Sequence, residues 1–329
     1  MSLQVIAAGP CTTVQDQGRE GSRHLGVGRA GAMDPHAYAL ANLLAGNPAG
    51  APALEITLAG PRLRFGRAAR IALCGAEIEA AVDGRVLPGW RPVLLPAGSE
   101  LRLGACRRGA RAYLAVDGGI AVPALLGSAS TDLRGGFGGF HGRALATGDT
   151  LALGASRTPA VDALWIAPWW IDPTPDLDFS RPAMLRVLPG SDATAPAGAL
   201  YAGEWQVAPA SDRQGLRLSG AALVLTEPHE RVSEPVVPGT VQLPPDGQPI
   251  VLLADAQTHG GYPRIGHVIA ADLPRLAQLR PGDRVRCVPC TPGEALQARG
   301  EQAHRLARAA LAMTFRTVTF GVARPSSSP

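Results

Sequence analysis

Short apolar runs closed at both ends by Gly or Pro recur along the whole chain, and this punctuation limits the fold more than any other feature. Leu3 to Ala7, Ala53 to Leu58 and Ala112 to Val116 in the first half are runs of this kind. Met184 to Leu188, Leu216 to Leu218, Ala222 to Leu225 and Ile250 to Ala254 follow in the second. With 40 Gly and 30 Pro in 329 residues, turns are frequent and long helices few, so the pattern predicts a mainly β protein of short strands. Helical signals stand at three places. Asp34 caps a run that has Pro35 at its first position and stops at Gly46-Asn47-Pro48, which predicts a helix over about 35–46. A short helix is expected near Asp272 to Leu279 and an amphipathic one over Glu294 to Met313.

The length exceeds what one core usually supports, so two domains are expected. Residues 159–182 hold five Pro, four Asp and the aromatics Trp165, Trp169 and Trp170, the composition of a connector. The resulting division is 1–157, a connector 158–182, and 183–329, with residues 324–329 read as a disordered tail. A weak internal repeat agrees: Glu55 with Gly60, and Glu234 with Gly239, are each followed later by a strand-opening Gly-Asp, at Gly148-Asp149 and Gly282-Asp283.

All 31 basic residues are Arg; the sequence contains no Lys. That excludes a Walker A lysine, a Schiff base and a biotinylated lysine on this chain. The net charge of +4 is scattered, with no basic block interleaved with aromatics, which argues against a nucleic-acid partner. Five Cys without framework spacing, no charged leader and no apolar run of membrane length point to a reduced, cytoplasmic protein. Cys287 and Cys290 have CxxC spacing but no second ligand pair for zinc, so they read as structural and no metal site is expected.

Gly26, Gly28 and Gly31 match the spacing of a dinucleotide loop, but the residues before them form no buried strand and the helix starts only after Asp34; this reading is rejected. The loop Gly135 to Gly139, flanked by Arg134 and Arg143, can bring backbone amides to an anion that a guanidinium grips, or simply turn the chain. The densest chemistry lies in Asp255 to Arg264, after the apolar strand Ile250 to Ala254. There Asp255 can act as a base or hold an amide nitrogen, Thr258 and Tyr262 can donate hydrogen bonds, and paired glycines admit a ligand to the backbone. A hydrogen-bonded turn is the plain alternative. No Ser/His/Asp arrangement or nucleophile elbow occurs.

These motifs together resemble those of a known family. Thr12 to Arg19, Gly31 to Asp34, Ala41 to Asn47 and Leu54 to Thr57 are similar to its N-terminal signature, Leu126 to Leu145 to its glycine-rich loop, and Ser211 to Leu218 and Ser233 to Pro263 to its second-half motifs. It is the family of the C subunit of bacterial 5-oxoprolinase, known also as Kip antagonist, allophanate hydrolase subunit 2 or biotin-dependent carboxyltransferase. The resemblance implies two cyclophilin-like β-barrel domains and, as partners, the A and B subunits of 5-oxoprolinase, the second of them related to the Kip inhibitor. Together the three would open 5-oxoproline to glutamate using ATP, with Mg²⁺. Carboxyl transfer served by an external biotin carrier, and regulatory binding of a Kip-type kinase inhibitor, are the competing readings. On the leading reading Asp255 and Asp34 are the catalytic candidates. Arg134, Gln242, Gln257, Thr258, Gly260, Gly261 and Tyr262 are the substrate-binding candidates, and the chain is inactive alone. Gly28, Ala30, Ala129 and His259 stand where the family commonly has Pro, Ser, Arg and Thr.

Overall fold

The computed structural model describes residues 2–175, 177–192, 197–224 and 232–320. As the punctuation predicts, it is mainly β. Eleven strands make the first sheet: β1 (Ser2–Ala7), β2 (Cys11–Gln15), β3 (Ala53–Thr57), β4 (Arg62–Phe65), β5 (Ala69–Val82), β6 (Arg85–Val86), β7 (Val93–Leu95), β8 (Glu100–Val116), β9 (Ile120–Ala121), β10 (Thr150–Leu153) and β11 (Trp165–Ile166). Its spine is the long antiparallel pair β5 and β8, registered from Ile71 opposite Val116 to Val82 opposite Leu101. The strand β11 lies in the segment expected to be a connector and pairs with β7, so part of that segment belongs to the first sheet.

The second sheet is a closed barrel of β12 (Ala183–Pro189), β13 (Glu204–Val207), β14 (Gly215–Ser219), β16 (Thr240–Gln242), β17 (Ile250–Leu252), β19 (Arg264–Val268) and β20 (Arg284–Pro289). A two-residue pair, β15 (Glu234–Pro235) with β18 (His259–Gly260), stands beside it. The barrel closes through a parallel pairing of β12 and β20, while its other pairings are antiparallel. Alternate side chains, among them Leu185, Val187, Trp205, Val207, Leu216, Leu218, Val241, Val251 and Ile265, fill its interior, as strand pleating requires. The Gly-Asp pairs singled out in the sequence do precede strands, β10 and β20.

Helix α1 (Pro35–Ala45) starts where Asp34 accepts a hydrogen bond from the Ala37 amide at 2.9 Å, and ends at Gly46 with φ of 85°. Its buried face packs on β5 and β8 and against α4 (Pro292–Phe320), which begins and ends beyond the stretch expected from periodicity. Between them in the chain come α2 (Ala197–Ala202) and α3 (Leu273–Ala277). One expected strand is missing. Residues 222–224 are irregular, and the Leu223 amide donates to the Gly247 carbonyl of the next hairpin at 2.9 Å; Leu225 lies outside the described residues, as do 324–329. Of the three only Leu223 is buried, while Ala222 and Val224 are exposed.

The two sheets are tied by polar contacts. Gln278, beside α3, accepts from the Ala110 and Arg111 amides at 3.0 and 3.1 Å and donates to the Arg111 carbonyl at 3.0 Å. Arg111 donates to the Ala277 carbonyl at 2.7 Å, and Arg280 to the Cys106 carbonyl at 2.6 Å and the Gly109 carbonyl at 2.7 Å. Since each buried donor or acceptor left unmet costs about 1–3 kcal/mol, Gln278→Leu is expected to lower unfolding stability by roughly 2–4 kcal/mol, read as a lower urea midpoint.

Candidate functional site

The seam between the sheets is built around Arg213, which is 8% exposed and sits in the turn before β14. Its Nε and Nη2 donate to the two oxygens of Asp255, each at 2.8 Å. Nη1 donates to Glu55 of β3, and Nη2 also donates to the Gly31 carbonyl at 2.7 Å. One guanidinium from the barrel side thereby grips a carboxylate of its own half and one of the other. Burial alone would lower the Arg213 pKa, but Glu55 and Asp255 hold it above the ordinary arginine value. Asp255 is pushed up by burial, against the pull of Arg213.

The network continues inward. Glu55 accepts from the Met33 amide at 2.9 Å and the Tyr113 hydroxyl at 2.8 Å. Tyr113 in turn accepts from the Asp34 amide at 2.7 Å, and Asp34 accepts from Gln278 at 3.0 Å. Asp34 is 1% exposed, and burial raises its pKa against the bonds from Ala37 and Gln278. Asp255 and Asp34, the two carboxylates expected to be catalytic, are thus joined through one buried network, which reaches Asp34 at its main-chain amide and runs on from its carboxylate to Gln278. Met33 beside it enters the barrel's own apolar core.

The other candidates gather in the loop after β17. Gln257 donates to Gln242 at 3.3 Å, the Gln242 amide reaches the Tyr262 carbonyl at 3.5 Å, and the Thr258 hydroxyl lies 3.0 Å from His259 Nδ1. Gly260 pairs with Glu234 and lies beneath the two amides, where a Cβ would stand 2.6 Å from Gln242 Nε2 and push that side chain aside. Gly261 follows it, and Tyr262 is 48% exposed. Arg23 clasps the loop from the N-terminal half, donating to the Val236 carbonyl and, at 3.3 Å, to that of Thr258.

Arg134 is exposed on the glycine-rich loop, its amide held by Asp132 at 3.1 Å. The buried guanidinium beside this loop is that of Arg19, 1% exposed, which donates to the Ser130 carbonyl and lies 4.7 Å from the Phe137 ring centre; burial lowers its pKa against the pull of nearby carboxylates. Asp16 clamps this loop to the N-terminal strand: it accepts from the Ser128 and Ser130 hydroxyls and the Ala129 amide, each at 2.6 Å, and from the Gly18 amide at 2.8 Å. Burial works against its charge, yet those four bonds bring its pKa below the usual carboxylate value. Gly26 ends a single 3-10 turn and the next helix starts at Pro35, which leaves no dinucleotide loop. Cys287 and Cys290 are buried thiols.

The segments holding Arg213, Glu55 and Asp16 carry family motifs, but sequence reasoning gave those three residues no role. A lone Glu inside the apolar strand Ala53 to Leu58 was the available signal, since a charge in a buried strand needs a partner.

An eleven-stranded sheet and a closed barrel, locked by a buried Arg–carboxylate network with a polar loop cluster at the seam, define the class as a two-part β protein. The family described as "Carboxyltransferase domain, subdomain A and B" matches residues 25–289, and the chain belongs to it. It is 44% identical to the C subunit of Escherichia coli 5-oxoprolinase over 305 residues, which are 91% of this chain and 95% of that one. With the C subunit of Haemophilus influenzae 5-oxoprolinase it shares 39% over 292 residues, 87% of this chain and 91% of the other. The crystal structure of Kluyveromyces lactis urea carboxylase superposes with a TM-score of 0.86 at 30% identity, over 94% of this chain but 29% of that one. In the urea amidolyase of the same yeast the matching region is 20% of the chain.

Arg213→Met leaves Glu55 and Asp255 buried without their cation and is expected to cost about 3–5 kcal/mol of stability, measured by urea unfolding at neutral pH. Because the folded-state pKa of Asp16 is depressed, the stability that it contributes is present above its ordinary value near 3.8 and is lost as pH falls through the folded pKa. The gap in urea midpoint between the wild-type protein and Asp16→Asn is therefore expected at pH 6 and to narrow towards pH 3.

Proposed function

We propose that the chain is the C subunit of a 5-oxoprolinase and works with the A and B subunits to open 5-oxoproline to glutamate at the expense of ATP. The observation that carries this reading is the 44% identity spanning 95% of the E. coli C subunit. The loop geometry supports it. 5-Oxoproline presents a lactam carbonyl, a lactam N–H and a carboxylate, and the amides of Gln242 and Gln257 with the hydroxyls of Thr258 and Tyr262 form a donor and acceptor set suited to such a ligand.

In this reading Asp255 and Asp34 are positioning groups. Arg213 occupies both oxygens of Asp255, and Asp34 caps α1 and receives Gln278. Asp255 fixes the root of the 255–262 loop to the seam, and Asp34 fixes the far end of the same network. ATP and Mg²⁺ belong to the assembled complex. Among the described residues no three His, Cys, Asp or Glu side chains converge as a metal site. No helix among them is long and apolar enough to cross a membrane.

A second reading, carboxyl transfer from an external biotin carrier, draws on the likeness to urea carboxylase. The decisive measurement is 5-oxoproline-dependent ATP use by the chain alone and after co-expression with the A and B subunits. No turnover is expected from the chain alone and robust turnover from the complex; turnover by the isolated chain, or carboxylation of urea in place of ring opening, overturns the proposal. Within the complex, Gln257→Ala is expected to lower activity at least about tenfold without changing assembly. Asp255→Asn is expected to lower the melting temperature and cost less than about tenfold per folded complex. A loss of roughly a hundredfold at unchanged melting temperature would make Asp255 a proton-transfer group instead.

A further inference from the structure

A cavity of 710 Å³ opens on the first sheet at the C-terminal end of α1, and it shares no lining residue with the Arg213 network or the 255–262 loop. Its size lies within the range of about 300–1,000 Å³ usual for small-molecule sites. Pro92 and Leu94 form one apolar wall, continued by Trp165, which is registered opposite Leu94 across the β7 and β11 pair. The charged residues that line it are Arg70, Arg157 and Asp117.

Asp117 is already committed. Buried Arg67 donates to it at 2.8 Å, the Arg70 amide does so at 3.0 Å, and the Ser156 hydroxyl also donates to it. Among the described residues the Arg70 side chain makes no ion pair; burial lowers its pKa and the Asp117 charge works the other way. Its Nε donates to the Leu44 carbonyl at 2.8 Å, and its Nη2 is buried with no acceptor among the described residues. Gly46, which ends α1, makes room for this guanidinium, since a Cβ there would stand 3.3 Å from Arg70 Nη1. Arg157 is exposed. Asp117 pairs with Arg67 and also acts on Arg70, so one carboxylate stands against the three guanidiniums of Arg67, Arg70 and Arg157, and positive charge is in excess beside an apolar wall. A neutral ligand would leave that excess unanswered, and a small inorganic anion would leave the wall uncovered.

We infer that this cavity binds an organic monoanion with an apolar body, a carboxylate joined to a ring or short hydrocarbon chain. Arg70 takes the carboxylate, Arg157 guards the mouth, and Leu94 and Trp165 cover the apolar part. This goes beyond the proposed function and does not rest on it.

The test is calorimetric titration of the full chain with phenylacetate, using acetate and 2-phenylethanol as comparisons for the charge and the ring alone. Saturable phenylacetate binding at least about tenfold tighter than either comparison is expected, as losing a charge-assisted hydrogen bond or a buried ring would produce. Arg70→Gln is expected to weaken phenylacetate at least about tenfold and leave 2-phenylethanol unchanged, while Leu94→Trp, which fills the cavity, abolishes binding of both. Because Arg70 also holds the end of α1, melting temperatures accompany each titration. If Arg70→Gln does not fold, Arg157→Gln, expected to weaken phenylacetate about threefold, and Leu94→Trp decide the matter. Absence of saturable binding below about 10 mM overturns the inference, as does affinity unchanged in these variants. Equal binding of acetate would reduce the site to a simple anion contact, equal binding of 2-phenylethanol to an apolar hole, and either result overturns it too.

Discussion

The grip of Arg213 on Asp255, Glu55 and the Gly31 carbonyl is the interaction on which the arrangement of the two sheets depends. Taking a cation and two carboxylates out of water is costly, and such clusters persist only where each remaining lone pair and proton is met. Here the Met33 amide and Tyr113 hydroxyl satisfy the rest of Glu55, and the chain of bonds runs on through Asp34 to Gln278. Apolar residues of equal volume would hold two sheets together as firmly. What the charged cluster adds is registry, because a shift of either half by one residue would strand a buried charge.

That registry explains how a polar loop at the end of β17 comes to be shaped by residues far away in the chain. Arg213 fixes the loop at Asp255, Arg23 clasps it at Thr258, and the Gln242 amide lies against Gly260 from the neighbouring strand. The glycine-rich loop is held separately, by the four hydrogen bonds into Asp16. Both loops are thus anchored by buried carboxylates, and the glycine-rich loop adds its own turn, in which Asp132 accepts from the Arg134 and Gly135 amides. The same fold recurs as a fraction of the yeast urea carboxylase and urea amidolyase, where it is one part of a longer chain.

Much of this was legible from the residues. Gly and Pro punctuation gave the mainly β class, because a chain broken every few residues can pair strands but not extend helices. The Asp34-Pro35 start and Gly46 stop placed α1 to within a residue, since capping is a local interaction between neighbours in sequence. Gln242, Gln257, Thr258, Gly260 and Tyr262 do come together, because these substrate-binding candidates lie on one short loop or the strand beside it. Residues 222–224 misled for the converse reason: of the three apolar residues only Leu223 is buried, and a strand also needs a neighbour with free backbone groups.

The amino-acid sequence by itself determined the strand-rich class, the helix caps, the absence of any lysine chemistry and the loop in which polar groups concentrate, because each of these depends on composition or on residues close in the chain. Only the tertiary structure decided that Asp255 answers to Arg213, that Arg213 reaches Glu55 across 158 positions, and that Asp34 meets Gln278 across 244. It also decided that the buried guanidinium packed against the glycine-rich loop is that of Arg19, while Arg134 is exposed. The reason is physical: a charge can be read from its residue, but the partner that makes its burial tolerable is chosen by where two separate sheets meet.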